Sequence, residues 1–292
     1  MNRYLRFIKN EFIYGSHLIS FSGVTAMLLG LNILGVELKS LLYLVLTYII
    51  FAIGFLYNRY VEIDQDTSSN SKRVLHIKSY FNYIPYILIA YSILFFTILY
   101  LSLQITYGYI SYIKFLLATL VFVLPFLYTY TKGLTKIIPC FKEIKFALNW
   151  VILFFVFSFL NDYYNLDIPL ILFFIFLFLR IFLATSLFDV KDILQDKQEG
   201  LKTTAVLLGE KNIFKFLIGL SITAVIPILI GYYLHVYDLV AVSLLFTTFY
   251  TILYIKLFTI KKSNMDVIYY IIIGGEFTLY FIVYKIVEMA IY

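Results

Sequence analysis

The chain reads as an all-α polytopic membrane protein with nine transmembrane helices, and three observations carry that reading. Hydrophobic residues make up 62% of the sequence and charged residues 14%, whereas a soluble domain is roughly a quarter charged. Mean hydropathy is accordingly +0.92. The apolar residues gather into runs close to the ~20 residues that cross a hydrocarbon core as a helix, and the basic residues collect in alternate connections between those runs.

In chain order the spans fall at roughly 14–34, 40–61, 82–103, 107–130, 144–162, 166–187, 213–234, 238–258 and 267–289. The first lies behind Arg3, Arg6 and Lys9; it is longer than a signal-peptide core and has no small-x-small exit site, so it reads as a retained helix. "LGVELKS" leads into the second span, after which come Arg59, Lys72, Arg73 and Lys78. "LQITYG" joins the third to the fourth, which is followed by Lys132, Lys136, Lys142 and Lys145. "NDYYNLD" joins the fifth to the sixth, and Lys191, Lys197, Lys202, Lys211 and Lys215 follow. "YYLHVYD" joins the seventh to the eighth, and Lys256, Lys261 and Lys262 precede the ninth. The odd connections hold only Lys39. The positive-inside rule therefore places the N-terminus and the even loops in the cytoplasm and the C-terminus outside, in the cell membrane if the source is prokaryotic.

The net charge of +6 is spread over these loops and forms no continuous patch, which argues against a nucleic-acid partner. A lone cysteine, Cys140, excludes an internal disulfide and a zinc knuckle. With no long linker or low-complexity tract, residues 1–292 read as one membrane domain. Its two largest connections, about 58–80 and 188–212, both fall on the cytoplasmic side.

Those two connections carry the acids. In "LYNRYVEIDQDTSSNSKR", Asn58, Glu62 and Asp66 recur at i, i+4 and i+8, one face of a continuing helix. In "LFDVKDILQDKQEG" the aspartates are Asp189, Asp192 and Asp196. Superimposing the segments sets Arg59 over Asp189, Glu62 over Asp192 and Asp66 over Asp196. Asp64 breaks the spacing and reads as solvated. A carboxylate-bearing helix end that recurs four spans later suggests two pseudo-repeated four-helix halves plus a ninth helix. A single acid at a helix end is ordinarily just solvated; two matched sets on one membrane face call for a cation between them. Hard oxygen ligands at this spacing suit Mg2+, which takes a few carboxylates and completes its shell with water and phosphate oxygens. Neighbouring Lys and Arg would neutralise the remaining charge of a diphosphate.

At these residues the sequence resembles the UbiA superfamily of intramembrane polyprenyltransferases, whose members carry N-D-x-x-D-x-x-x-D after helix two and D-x-x-D-x-x-x-D after helix six. "NRYVEIDQD" departs from the first motif, with Arg59 for an Asp and Glu62 for the middle Asp; "DVKDILQD" matches the second throughout. "GLKTTAVLLG" is similar to the Gly-x-[Lys/Arg]-Thr and Leu-Gly segment that follows, and Tyr128 and Lys132 match a Tyr-x-x-x-Lys stretch after helix four. The resemblance covers nearly the whole chain. It implies nine helices around a central cavity that opens to lipid, with a polyprenyl diphosphate donor held through Mg2+ between the motif loops. The prenyl group passes to a small-molecule acceptor. On this resemblance Asp66, Asp192 and Asp196 are the leading metal ligands and catalytic residues, with Asn58, Glu62 and Asp189 beside them. Arg59, Lys72, Arg73, Tyr128, Lys132 and Lys202 are the substrate-binding candidates. The expected acceptor is an aromatic, quinone-precursor type; archaeal-type lipid and tetrapyrrole acceptors are the alternatives. A polytopic transporter is the reading from another class, and a catalytically lost homologue is a third.

Other polar residues sit inside spans. Arg180, about nine residues inside span six and roughly 13 Å from Asp189 along a helix, is costly in lipid and is expected to face the cavity or an internal acid such as Glu276. His17 reads as a hydrogen-bonded interface residue and Lys114 as one that snorkels outward. Some of the 30 Phe and 28 Tyr would line the cavity and stabilise an allylic cation.

Overall fold

The computed structural model describes residues 3–63, 71–127, 131, 133–260 and 268–292. They are helical throughout, with no strand among the described residues. α1 (Arg3–Tyr14) carries exposed Tyr4, Leu5 and Ile8 and meets α2 (His17–Ile33) at a bend of 50°. Ser16 makes that corner in the left-handed region, at φ 70°.

α3 (Leu41–Glu62) starts where Ser40 Oγ accepts from the Leu42 N–H at 3.2 Å, satisfying one of the free donors of a first turn. After α4 (Ser71–Lys78), α5 (Ile84–Tyr107) carries Pro85 in its first turn, where no N–H is needed, and closes on Gly108 at φ 72°. α6 (Tyr112–Val123) tightens into a 3-10 turn, Leu124–Leu127, at Pro125. The four-residue α7 (Leu134–Ile137) precedes α8 (Phe141–Leu160). α9 (Ile168–Phe188) begins on the Asp167 side chain, which accepts from the Leu170 N–H at 3.2 Å. It runs into a 3-10 turn, Asp189–Asp192, and then α10 (Ile193–Gln198). α11 (Thr204–Ala224) is capped by Thr203 and kinks at Gly209, and α12 (Ile226–Tyr233) follows. A 3-10 segment, Leu239–Leu245, leads into α13 (Phe246–Ile260). A π-helical turn, Ile268–Ile273, precedes α14 (Glu276–Ile291).

Each of the nine expected spans contains helix among its described residues, yet fewer meet the length of a membrane crossing. Among the described residues six helices are long and apolar enough, and the bent α1/α2 pair makes a seventh. The fourth stretch is described only as the shorter Tyr112–Leu127, with Pro125 in its closing 3-10 turn and residues 128–130 outside the described ones. The ninth is divided at Gly274 and Gly275, which leaves α14 with 16 residues. The division of the ninth comes from paired glycines inside an apolar run, which hydropathy averages over.

α9 packs between α8 and α11, and α14 lies against α2. Phe154, Phe173 and Phe176 are fully buried there. Gly30 of α2 lets the Phe154 ring come close; a Cβ at that position would stand 2.3 Å from it. Lys114 does not extend freely to the outer surface: it is buried, with Nζ 2.5 Å from Asp162 and also bonded to the Tyr107 hydroxyl. Its head still lies at the end of the bundle opposite the acidic motifs, where Asp162 and Tyr107 hold it.

Candidate active site

The two motif segments are brought together because α3 and α9 both end where α8 and α11 begin. Short bonds tie those helix starts. Cys140 N–H donates to Lys202 O at 2.8 Å, and Thr204 N–H donates to Glu143 Oε1 at 2.5 Å. Between the ends lies a cavity of about 290 Å³. Its mouth is lined by Asn58, Arg59, Glu62, Arg73, Lys142, Lys145, Asp189, Lys191 and Asp192, and its interior by Ile50, Phe51, Phe146, Trp150, Leu153 and Phe277.

Of the residues singled out by sequence, Asn58, Arg59, Glu62, Arg73, Asp189 and Asp192 meet on this wall. The expected helical spacing holds for its described pair, Asn58 and Glu62: Asn58 Nδ2 donates to Glu62 Oε2 at 3.0 Å. Arg59, where an Asp was the family pattern, is buried; its guanidinium donates to Ser16 Oγ and lies 5.8 Å from the centroid of the Tyr270 ring. Arg73 stands over the same ring at 5.9 Å. Tyr270 thus gathers both arginines by cation–π attraction. Asp189 is buried and accepts from Lys142 Nζ at 2.6 Å, and Asp192 lies 3.8 Å from Lys191 Nζ.

The remaining candidates lie elsewhere. Asp196 is buried behind the cavity wall, where its Oδ2 accepts from Thr203 Oγ1 at 3.3 Å. Lys72 lines a separate groove between α1 and α4 with Lys9 and His76. Lys202 is exposed and donates to Ile137 O at 3.3 Å. Asp66, Tyr128 and Lys132, with Asp64, fall outside the described residues. His17 is bonded on both ring nitrogens, to Tyr48 Oη at 2.5 Å and to Glu11 at 3.2 Å.

One face of α8 was missed as a unit. Lys142, Lys145, Phe146, Asn149, Trp150 and Leu153 all line the cavity, and their i, i+3, i+4, i+7 spacing is the available signal. Lys142 and Lys145 stood out in the sequence only as loop charges. Deeper in the bundle, Arg180 Nη2 lies 3.0 Å from Glu276 Oε2, the pairing that sequence could only suggest. Glu276 reaches the cavity wall there.

The oxygen donors at the mouth fit Mg2+ in kind. Among the described residues Asn58 Oδ1 and Asp189 Oδ2 are buried without a hydrogen-bond partner, which leaves lone pairs on each motif for an ion; Glu62 and Asp192 add carboxylates from the same two segments. Among the described residues no three His, Cys, Asp or Glu side chains converge closely enough to hold an ion by themselves. The arrangement suits an ion that takes a ligand or two from each side and fills its shell with phosphate and water.

No protein-family model matches the chain, and no curated protein sequence is similar to it. Solved structures do match. An apo UbiA homologue from Aeropyrum pernix K1 superimposes with a TM-score of 0.70 at 18% identity, covering 93% of this chain and 98% of that one. A UbiA homologue from Archaeoglobus fulgidus bound to GPP and Mg2+ gives 0.60 at 18%, covering 97% and 99%. The same organism's homologue bound to DMAPP and Mg2+ gives 0.57 at 20%, covering 98% and 100%. The chain therefore has the UbiA fold along nearly its whole length.

Proposed function

We propose that the protein is an intramembrane prenyltransferase that moves a prenyl group from its diphosphate to a small acceptor. One observation supports this above the rest: a single cavity joins a mouth of paired acids and cations to an apolar interior within the bundle. A prenyl diphosphate has that same division. The A. fulgidus homologue of like fold was solved with GPP and Mg2+, and the unpartnered oxygens of Asn58 and Asp189 are suited to the same ion. With the basic connections in the cytoplasm, the mouth faces inward and the C-terminus lies outside.

The residues divide the work by charge. Asn58, Glu62, Asp189 and Asp192 would hold the ion, with Asp66 and Asp196 completing the motifs. Bound there, Mg2+ would screen the charge that builds on the departing diphosphate. Arg73, Lys145 and Lys191 face the same space and would neutralise the rest of it. Lys142 fixes Asp189 in place. As the C1–O bond breaks, its electron pair leaves with the diphosphate, and the allylic carbon bonds to the acceptor, which gives up a proton. The rings of Phe51, Phe146 and Trp150 line the path of the tail and keep water from the cation. An aromatic, quinone-precursor acceptor is the reading we favour within this class, because it is the commonest use of the fold.

The test is diphosphate release by purified protein in lipid, supplied with geranylgeranyl diphosphate and a mixed acceptor pool, with and without Mg2+. Magnesium-dependent release that needs one acceptor supports the transferase. Absence of release with folded protein and several donor lengths overturns it, and ion-dependent solute flux lost in Asp192→Asn would establish a transporter instead.

A further inference from the structure

Glu276 is an intramembrane acid that the reaction above leaves without a task. It is 1% exposed and lies on the cavity wall beside Phe277 and Ser22. Its two oxygens have different lives. Oε2 accepts from Arg180 Nη2 at 3.0 Å and from the Tyr280 hydroxyl at 3.0 Å, with the Tyr254 hydroxyl at 3.4 Å. Oε1 is buried with no hydrogen-bond partner among the described residues.

Arg180 is fully buried and is held from the other side by Thr251 at 2.8 Å and Ser221 at 3.3 Å. It balances the carboxylate's charge and fixes its plane, so Oε1 cannot turn away to find another donor. An unsatisfied buried acceptor is costly, and one carried by a residue of the cavity wall could be satisfied by a ligand that fills the cavity.

The position limits that use. Arg180, which lies 3.0 Å from Glu276, is nine residues before Asp189 along α9, about 13 Å at helical rise. Oε1 is therefore below the diphosphate-binding charges, and it is an acceptor of hydrogen bonds only. It would repel a second carboxylate or a phosphate, and it offers nothing to a prenyl tail. We propose that Glu276 Oε1 receives a hydroxyl or amine N–H of the prenyl acceptor, so that the acceptor class is a hydrogen-bond donor with an apolar body, and that Arg180 is the positioning residue behind it. This rests on the transferase reading for the identity of the ligand, though the binding it claims can be measured without turnover.

Trp150 is the only tryptophan in the chain. It lines the same cavity and stacks on Phe277 with centroids 5.8 Å apart, so its fluorescence reports occupancy. The full chain in lipid nanodiscs is titrated with para-hexylphenol and, separately, with its methyl ether, which has the same body without the donor. The phenol should bind about tenfold or more tightly than the ether, the ratio expected of one hydrogen bond to a charged group.

In Glu276→Gln the amide oxygen must face Arg180, which turns the NH2 toward the cavity and replaces an acceptor with a donor. The phenol's advantage should then fall to about one. Equal binding of phenol and ether by the native protein overturns the proposal, as does a folded Glu276→Gln that keeps the full preference. Should that variant fail to fold, the comparison on native protein decides alone. Geranyl diphosphate with Mg2+ is titrated in parallel and should bind native and Glu276→Gln protein equally. If the native protein binds no diphosphate but still separates phenol from ether, the transferase reading falls and the Glu276 site stands.

Discussion

Asp192 and Asp196 carry the same side chain four residues apart and do different work. Asp192 faces the cavity, whereas Asp196 is buried against Thr203, which caps the first turn of α11. Asp192→Asn should therefore lower prenyl transfer by at least ~100-fold with an unchanged melting temperature, since it removes charge only where the transition state needs it. Asp196→Asn should lose both, because its carboxylate also holds a helix start. Turnover and melting measured on the two purified variants, with a Lys39→Ala control that should match native protein, check this. At the opposite end Asp162 gives a pH prediction. Burial raises its carboxyl, but bonds from Lys114, Tyr164 and Tyr107 outweigh that and hold it below the ordinary value. A folded-state pKa lowered in this way contributes stability above the unfolded pKa and loses it as pH falls through the folded one. The melting difference between native protein and Asp162→Asn should be fully present at neutral pH and shrink below about pH 4.

α1 is held by one carboxylate. Glu11 accepts from His76 at 2.6 Å, His17 at 3.2 Å and Tyr80 at 3.2 Å, which joins it to α2, to α4 and to the turn before α5. Glu11→Ala should release the helix at a cost of about 2 kcal/mol, seen as severalfold faster proteolysis between Tyr4 and Phe12 while the bundle core stays protected. An unchanged cleavage rate would show that apolar packing alone seats α1. Such contacts explain what the sequence could and could not say. The spans and the match of "DVKDILQD" were legible because hydropathy and i, i+3, i+4 spacing are local properties. The Arg180–Glu276 pair joins residues 96 apart, and only the tertiary fold, in which the long Arg180 side chain reaches from α9 to α14, sets them side by side. Lys142 escaped notice for a related reason: a lysine at a membrane boundary looks the same whether it faces water or, as here, an Asp189 carboxylate 47 residues on. The division of the ninth span at Gly274 and Gly275 was hidden by averaging.

On the proposed function the bundle as a whole must hold a long apolar chain beside a charged mouth, and its capacity is set where helices approach most closely. Gly54 of α3 lines the cavity opposite Pro125. A Cβ added there would meet Pro125 at 3.4 Å, ordinary contact, with nothing else within 4 Å. Gly54→Ala should therefore fold and turn over as native protein does, despite a small change in helix propensity. A longer side chain there would extend into the cavity that Gly54 lines. Gly54→Leu should remove roughly four carbons' worth of space, close to one isoprene unit, from an interior of about 290 Å³. With geranyl, farnesyl and geranylgeranyl diphosphates as donors, the variant should keep kcat/KM for the shortest and lose about tenfold or more for the longest, because overpacking a fixed helix interface costs ~1–3 kcal/mol. A uniform loss across all three would mean that the substitution displaces α3 and its Asn58–Glu62 end. Unchanged selection would place the tail on another path through the bundle, away from Gly54.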